Sequence, residues 1–254
     1  MVKSRTSFGL KIFVVAILFS FAAIVSFYIT DRSYKAHFKC YTDFGIYLPE
    51  NYSIHGIDVS RYQKEISWQD VKEMKVKNTA IGFAFIKATE GIDRTDEQFI
   101  NNMTAAKEAG IKRGAYHFFI PGESGRLQAE NFIKTAPLTT GDLPPVLDAE
   151  RIDTSSIPEV QLQIAEWLSA VEKRYHTKPI IYSNIDFYNT VLAGKSDNYP
   201  LWIAHYYAKD KPRIKRNWAF WQHNERGTVN GIKAPVDFNV FNGDSTAFQQ
   251  LLMK

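Results

Sequence analysis

Thr79-Ala80-Ile81-Gly82-Phe83-Ala84-Phe85-Ile86-Lys87-Ala88 is the stretch that decides the fold. It is almost continuously apolar, rich in Ile and Phe, and short. Such a run reads as a strand buried on both faces rather than one with a wet side. Asp96 then caps a helix over residues 97–109. Phe99, Met103 and Ala106 mark its inner face at three- and four-residue spacing, and Gly110 ends it. A further strand follows over 113–119. Buried strand, amphipathic helix and buried strand make one βαβ unit, whose two strands must run parallel.

The alternation continues outward in both directions. On the N-terminal side lie a strand at 54–59 and a short helix at 68–74. On the C-terminal side Ser124 opens a helix with Leu127, Phe132 and Ile133 facing inward, and Pro144-Pro145 opens a strand over 143–150. A long helix over 158–175 places Val160, Ile164, Trp167, Val171 and Tyr175 on one stripe. Strands at 180–183, 201–204, 219–223 and 237–241 complete the series. About eight strands, the first several each followed by a helix, predict an α/β fold: a single-domain (β/α) barrel, irregular near its end where long helices are missing.

Composition places the chain among ordinary folded proteins, with 45% hydrophobic and 23% charged residues in 254. The net charge of +4 owes three charges to Lys3, Arg5 and Lys11. The near-neutral remainder has no basic face for nucleic acid, which is excluded as a partner. Residues 12–29 form an uncharged apolar run preceded by those three cations. The run is long enough for a membrane anchor, and the candidate cleavage site Ser20-Phe21-Ala22 falls inside it. Residues 1–30 therefore read as a cytoplasmic N-terminus with a single-pass transmembrane signal anchor, 31–53 as a spacer, and 54–254 as a monomeric barrel outside the cytoplasm, periplasmic or extracellular. The single cysteine, Cys40, can form no intramolecular disulfide.

Barrel active sites sit at the C-terminal ends of the strands. Asp58 ends the first strand and Lys87 the second. Tyr116 lies in the third, Asp148 and Glu150 end the fourth, Tyr182 ends the fifth, and Gln222 closes the seventh. Asp237 opens the eighth. Carboxylates placed after core runs are costly unless paired or used. In Leu147-Asp148-Ala149-Glu150 strand alternation turns both acids to one face, with Cα atoms about 6.5–7 Å apart. Like charges that close cannot both ionise easily, so one is left as a proton donor at neutral pH. Glycosidic bond cleavage needs this combination of an acid and a carboxylate. The six histidines show no HxxH, HxxxH or HExxH spacing, so no metal and no cofactor is assigned. The absence of GxSxG and GxxxxGK[ST] motifs argues against acyl transfer and nucleotide chemistry.

Gly56-Ile57-Asp58-Val59-Ser60-Arg61-Tyr62-Gln63 resembles the opening motif of the glycoside hydrolase family 25 lysozymes, which are N-acetylmuramidases. Matching motifs follow in order: Phe85-Ile86-Lys87-Ala88-Thr89-Glu90-Gly91, Gly114-Ala115-Tyr116-His117-Phe118, Leu147-Asp148-Ala149-Glu150, Ile181-Tyr182-Ser183, Leu201-Trp202-Ile203-Ala204, Trp221-Gln222 and Val236-Asp237-Phe238-Asn239. The resemblance runs over residues 54–243. It implies cleavage of the β-1,4 bond between N-acetylmuramic acid and N-acetylglucosamine in the glycan strands of peptidoglycan. It makes Glu150 the general acid and Asp148 an orienting or stabilising partner, acting through the substrate's 2-acetamido group. Asp58 and Asp237 become the other catalytic acids, Tyr116, Tyr182, Trp202 and Trp221 shape the sugar subsites, and Lys87 and Gln222 are polar contacts. His223 stands where many relatives carry an aromatic. Two other readings compete: a catalytically inactive glycan-binding protein on the same barrel, and a metal-dependent deacetylase, whose histidine ligands the spacing does not supply.

Overall fold

The computed structural model describes residues 6–33, 38–206, 208 and 210–254. Among the described residues eight strands close into one barrel: β1 (His55–Val59), β2 (Thr79–Glu90), β3 (Lys112–Phe118), β4 (Val146–Asp148), β5 (Ile180–Asn184), β6 (Leu201–Ala204), β7 (Phe220–Gly227) and β8 (Val236–Phe241). Neighbours from β1 through β7 run parallel. β8 is antiparallel to both β7 and β1 and closes the ring.

The irregularity has a simple cause. A parallel return needs a crossover of a dozen or more residues, and the link from Gly227 to Val236 is shorter than that. β8 must therefore come back as a hairpin, and its first residues lie at the same barrel end as the last residues of the parallel strands. The register pairs Asp237 with Asp58.

Period-two alternation divides the barrel into two cores. Inward lie Phe83 and Phe85 of β2, Val146 of β4, Ile180 of β5, Trp202 of β6, Phe220 of β7 and Phe241 of β8, all buried. Phe85 stacks on Trp202 with centroids 4.4 Å apart, and Phe220 meets Phe83 and Phe85 edge-on or tilted at 5.1 Å. Gly56 makes room for this filling, since a Cβ there would lie 2.5 Å from the Phe83 ring. Phe248, from the C-terminal helix Ser245–Leu251, packs on Phe83 and Phe241 and plugs the end away from Asp237. Outward residues such as Ala84, Ile86, Leu147 and Ile181 meet the surrounding helices.

α1 (Thr6–Ser33) precedes the barrel, and the side chains described in it, residues 12–26, are all exposed. Among the described residues no helix is long and apolar enough to cross a membrane. The expected anchor over 12–29 lies partly outside the residues whose side chains are described. α2 (Trp68–Glu73) and α3 (Phe99–Glu108) follow β1 and β2. Asp96 does not cap α3 as expected, because the helix starts two residues later. Its carboxylate accepts the backbone N–H groups of Arg61 at 2.9 Å and Gln98 at 3.0 Å.

Within the stretch expected to be a spacer, Phe38–Tyr41 and Ile46–Pro49 form an antiparallel hairpin. Phe44 packs on Phe238 at 5.3 Å, Phe38 meets Trp221 edge-on at 6.0 Å, and the Thr228 N–H donates to the Phe44 carbonyl at 2.9 Å. The β7–β8 hairpin lacks a crossover helix, which leaves the outer face of these strands bare, and the N-terminal hairpin covers it. Its four-residue strands are too short to announce themselves by alternation.

α4 (Gly125–Thr135) and α5 (Ile157–Tyr175) touch where Gly125 meets the backbone of Gln163. A Cβ at position 125 would fall 1.9 Å from the Gln163 carbonyl oxygen, and neither backbone can yield cheaply. Gly125→Ala should therefore cost about 1–3 kcal/mol of stability. Urea unfolding measures it, and an unchanged midpoint would contradict the close approach.

Candidate active site

The inward positions at the barrel mouth are polar where those below are aromatic. β2 carries Phe83, Phe85 and then Lys87 inward. β4 carries Val146 and then Asp148, β5 Ile180 and then Tyr182, and β7 Phe220 and then Gln222. On β8 Asp237 and Asn239 face inward above Phe241. The same two-residue period that fills the core thus delivers the site.

A cavity of about 270 Å³ opens there. The acids Asp58, Asp148, Glu150 and Asp237 line it, as do Lys87, Tyr116, Tyr182, Trp202 and Gln222. Trp221 does not reach it. Alternation turns Trp221 and His223 outward, where Trp221 meets Phe38, Tyr52 and Trp218 and its indole N–H donates to the His205 carbonyl at 3.0 Å. Trp221 therefore packs the barrel wall against the N-terminal hairpin and is not a sugar contact. Burial likewise keeps His223 neutral, with its pKa pushed down to about 3. His117 points out of the barrel into a buried cluster, bonded to Thr89 at 2.7 Å and Gln128 at 3.1 Å.

An amide network fixes the cavity floor. Asp58 Oδ2 accepts from Gln222 Nε2 and from Asn239 Nδ2, each at 2.8 Å. The carbonyl oxygen of Gln222 in turn accepts from the Tyr182 and Tyr206 hydroxyls, each at 2.7 Å. Asn239 Oδ1 accepts the Trp202 indole N–H at 2.8 Å. Each amide is thereby oriented, with its N–H toward Asp58 and its oxygen toward an aromatic donor.

The fourth strand is shorter than expected. It ends at Asp148, and the Ala149 N–H still donates to the Tyr182 carbonyl at 3.0 Å. Pro144 and Pro145 have no N–H to give the ladder, which accounts for the late start. Glu150 stands beyond the strand, half-buried at the mouth, and its carbonyl accepts from Asn184 Nδ2 at 3.3 Å. Asp148 is buried, and among the described residues its Oδ1 makes no hydrogen bond.

Burial raises the pKa of all four acids, and neighbouring carboxylates add to it for Asp58, Asp148 and Asp237. Asp148 rises well above its ordinary value, first through burial and then through the charges of Glu150 and Asp58. Burial also lifts Asp58, helped by Asp237 and opposed by its two amide donors. Glu150 is raised by burial, against the pull of Arg151 and the Tyr182 hydroxyl. Asp237 moves up to about 7, through burial first and Glu225 next. Among the described residues the one cation lining the cavity is Lys87, which is bound to Glu90 at 2.7 Å and cannot neutralise four acids. Among the described residues no group of three or more His, Cys, Asp or Glu is placed to hold a metal ion. The mouth is thus a set of oriented acceptors with protons held on part of its carboxyls, suited to acid-assisted cleavage of a neutral, hydroxyl-rich polymer.

The glycosyl hydrolases family 25 model matches residues 57–232, which carry the site residues above except Asp237 and Asn239. The chain belongs to that family. It is therefore a glycoside hydrolase. It is 46% identical over 215 residues to the uncharacterized protein YegX of Escherichia coli (strain K12), covering 85% of this chain and 79% of that one. Lysozyme M1 of Streptomyces globisporus is 35% identical over 207 residues, 76% of this chain and 69% of that one. Among solved structures, a family 25 glycosyl hydrolase from Bacillus anthracis superposes with a TM-score of 0.74 at 31% identity, over 85% of this chain and 96% of that one.

Tyr206, which stands where the sequence places polar residues after the sixth strand, also lines the cavity, as do Tyr62 and Phe118, which were not singled out from sequence. Asn239, on the cavity floor, could have been: it stands two residues after Asp237, the spacing that marks Asp148 and Glu150.

Folding raises the Asp237 pKa from 3.8 to about 7, so the fold holds this proton more tightly than the unfolded chain does. The resulting stability is complete below the lower value and is lost as pH rises through the upper one. Asp237→Asn should therefore stabilise the protein at pH ~8, by about 1–3 kcal/mol, and make little difference near pH ~4. Melting temperatures recorded against pH give the comparison; parallel curves for variant and wild type would contradict the shift.

Proposed function

We propose that the enzyme is a lysozyme that hydrolyses the β-1,4 bond between N-acetylmuramic acid and N-acetylglucosamine in peptidoglycan. The observation that carries the reading is the pairing of Asp148 and Glu150 in one polar cavity, both with raised pKa. The lysozyme relative supports the same substrate class.

In this reading Glu150, half-exposed at the mouth, protonates the leaving glycosidic oxygen. Burial raises its pKa, so the carboxyl holds its proton to higher pH than an exposed glutamate does. Asp148 lies deeper. In this reading its carboxyl, at the edge of the cavity, accepts the N–H of the substrate's 2-acetamido group and so holds the acetamido oxygen against the anomeric carbon as positive charge develops there. Asp58, held by Gln222 and Asn239, and Asp237 supply negative potential on the same face. Trp202, Tyr182 and Tyr116 line the cavity, and in this reading their edges shape the sugar subsites. We further propose that residues 12–29 anchor the chain in the plasma membrane with the monomeric barrel outside the cytoplasm. The uncharged run and the cations before it support that placement.

Residues 31–254 incubated with purified peptidoglycan should release fragments bearing muramic-acid reducing ends. Glu150→Gln should slow release by about 10²–10⁴-fold while leaving the fold intact. Binding without new reducing ends would favour a glycan-binding protein instead. Arg151 favours the ionised form of Glu150, so Arg151→Gln should move the alkaline limb of the pH–rate profile to higher pH. A limb that stays in place would remove Glu150 from the proton-donor role.

A further inference from the structure

Beside the acidic cavity lies a second groove of about 200 Å³, lined by Arg61, Lys87, Glu90, Arg94, Thr95 and Asp96. Lys87 lines both and stands at their junction. The two spaces have opposite electrostatic character. Among the described residues the first holds four acids against one lysine. The second holds three cations against two acids, and both acids are already engaged. Asp96 accepts two backbone N–H groups, and Glu90 bridges Lys87 at 2.7 Å and Arg94 at 3.0 Å. The Arg94 side chain is 60% exposed, and Arg61 is exposed with its guanidinium over the Tyr62 ring at 5.6 Å. Each guanidinium has five donors, so most N–H groups of the two arginines remain free to face a ligand.

We propose that this groove binds the carboxylates of the peptide branch on the muramic-acid residue, making the enzyme selective for peptide-substituted glycan. The inference rests on the muramidase reading. The sugars of the strand are neutral where the lactyl group is amide-linked, and they suit the acidic cavity. The branch leaves the sugar ring sideways and carries free carboxylates, which the acidic cavity would repel. A basic groove opening at Lys87 receives them. Two guanidiniums set beyond one ammonium suit planar carboxylates better than a lone point charge does. Because these contacts lie off the reacting bond, they should act on binding alone and change KM rather than kcat.

The test uses the full chain in detergent and three glycan substrates of equal length: strands with free-acid peptide branches, strands whose branch carboxylates are amidated, and strands stripped of peptide. Wild type should cut the free-acid strands with kcat/KM about tenfold above the amidated ones, the difference lying in KM. Arg61→Gln/Arg94→Gln should cut both at the amidated rate, with kcat unchanged. Arg61→Lys/Arg94→Lys should restore part of the preference, which separates a charge contact from a folding defect. Equal wild-type rates on free-acid and amidated strands, or a preference that survives in the double glutamine variant, would overturn the proposal. Faster cleavage of stripped strands, whose lactyl carboxylate is free, would overturn the assignment to the peptide. No cleavage of any strand would overturn the muramidase reading, and this inference with it.

Discussion

Four carboxyl groups share one small, partly dry cavity, and they cannot all be ionised there. Each charge taken into such a space loses hydration and meets its neighbours' repulsion. Asp58, Asp148, Glu150 and Asp237 are held together because the barrel backbone leaves them no choice. Each stands at the mouth above aromatic residues that fill the interior, and ring packing such as Phe85 on Trp202 stabilises the strands that carry them. The strain of concentrated charge is relieved in two ways: protons stay on part of the set, and amide donors from Gln222 and Asn239 hold Asp58. A retained proton beside an acceptor is what cleavage of a glycosidic bond requires. The destabilising arrangement and the catalytic one are the same arrangement.

The reversed eighth strand belongs to this logic. A parallel β8 would have carried Asp237 and Asn239 to the other end of the barrel. Antiparallel return brings them to the mouth, opposite Asp58. The cost is an outer wall without a crossover helix. The N-terminal hairpin covers that wall by packing Phe38 on Trp221 and Phe44 on Phe238. A segment outside the barrel repeat thus supports the strand that completes the acid cluster.

Much of this was legible in the sequence because barrels obey short-range rules. Alternating apolar and polar positions located the strands, and strand ends located Asp58, Asp148 and Asp237. Trp221 shows where that reading needs the opposite face. It stands beside Gln222, but a one-residue offset turns it from cavity to wall, where Phe38 of the covering hairpin, Tyr52 and Trp218 bury it. Residues 38–49 escaped notice because two four-residue strands carry too little pattern. Phe118 escaped because nothing local distinguishes a cavity-lining aromatic from a core one. The basic groove depends on Arg61 and Arg94, thirty-three positions apart, meeting beside Lys87, and only the fold brings them together.

Carbon-13 NMR titration of the side-chain carboxyls tests the central claim most directly, with Asp58→Asn, Asp148→Asn, Glu150→Gln and Asp237→Asn assigning the resonances. The account predicts that at pH ~6, well above the ordinary carboxyl range, at least two cavity carboxyls remain protonated, Asp148 among them. It also predicts that neutralising one acid lowers the titration midpoints of its neighbours. Four independent titrations complete by pH ~5 would contradict it, because the mouth would then hold four ordinary carboxylates and no proton to donate.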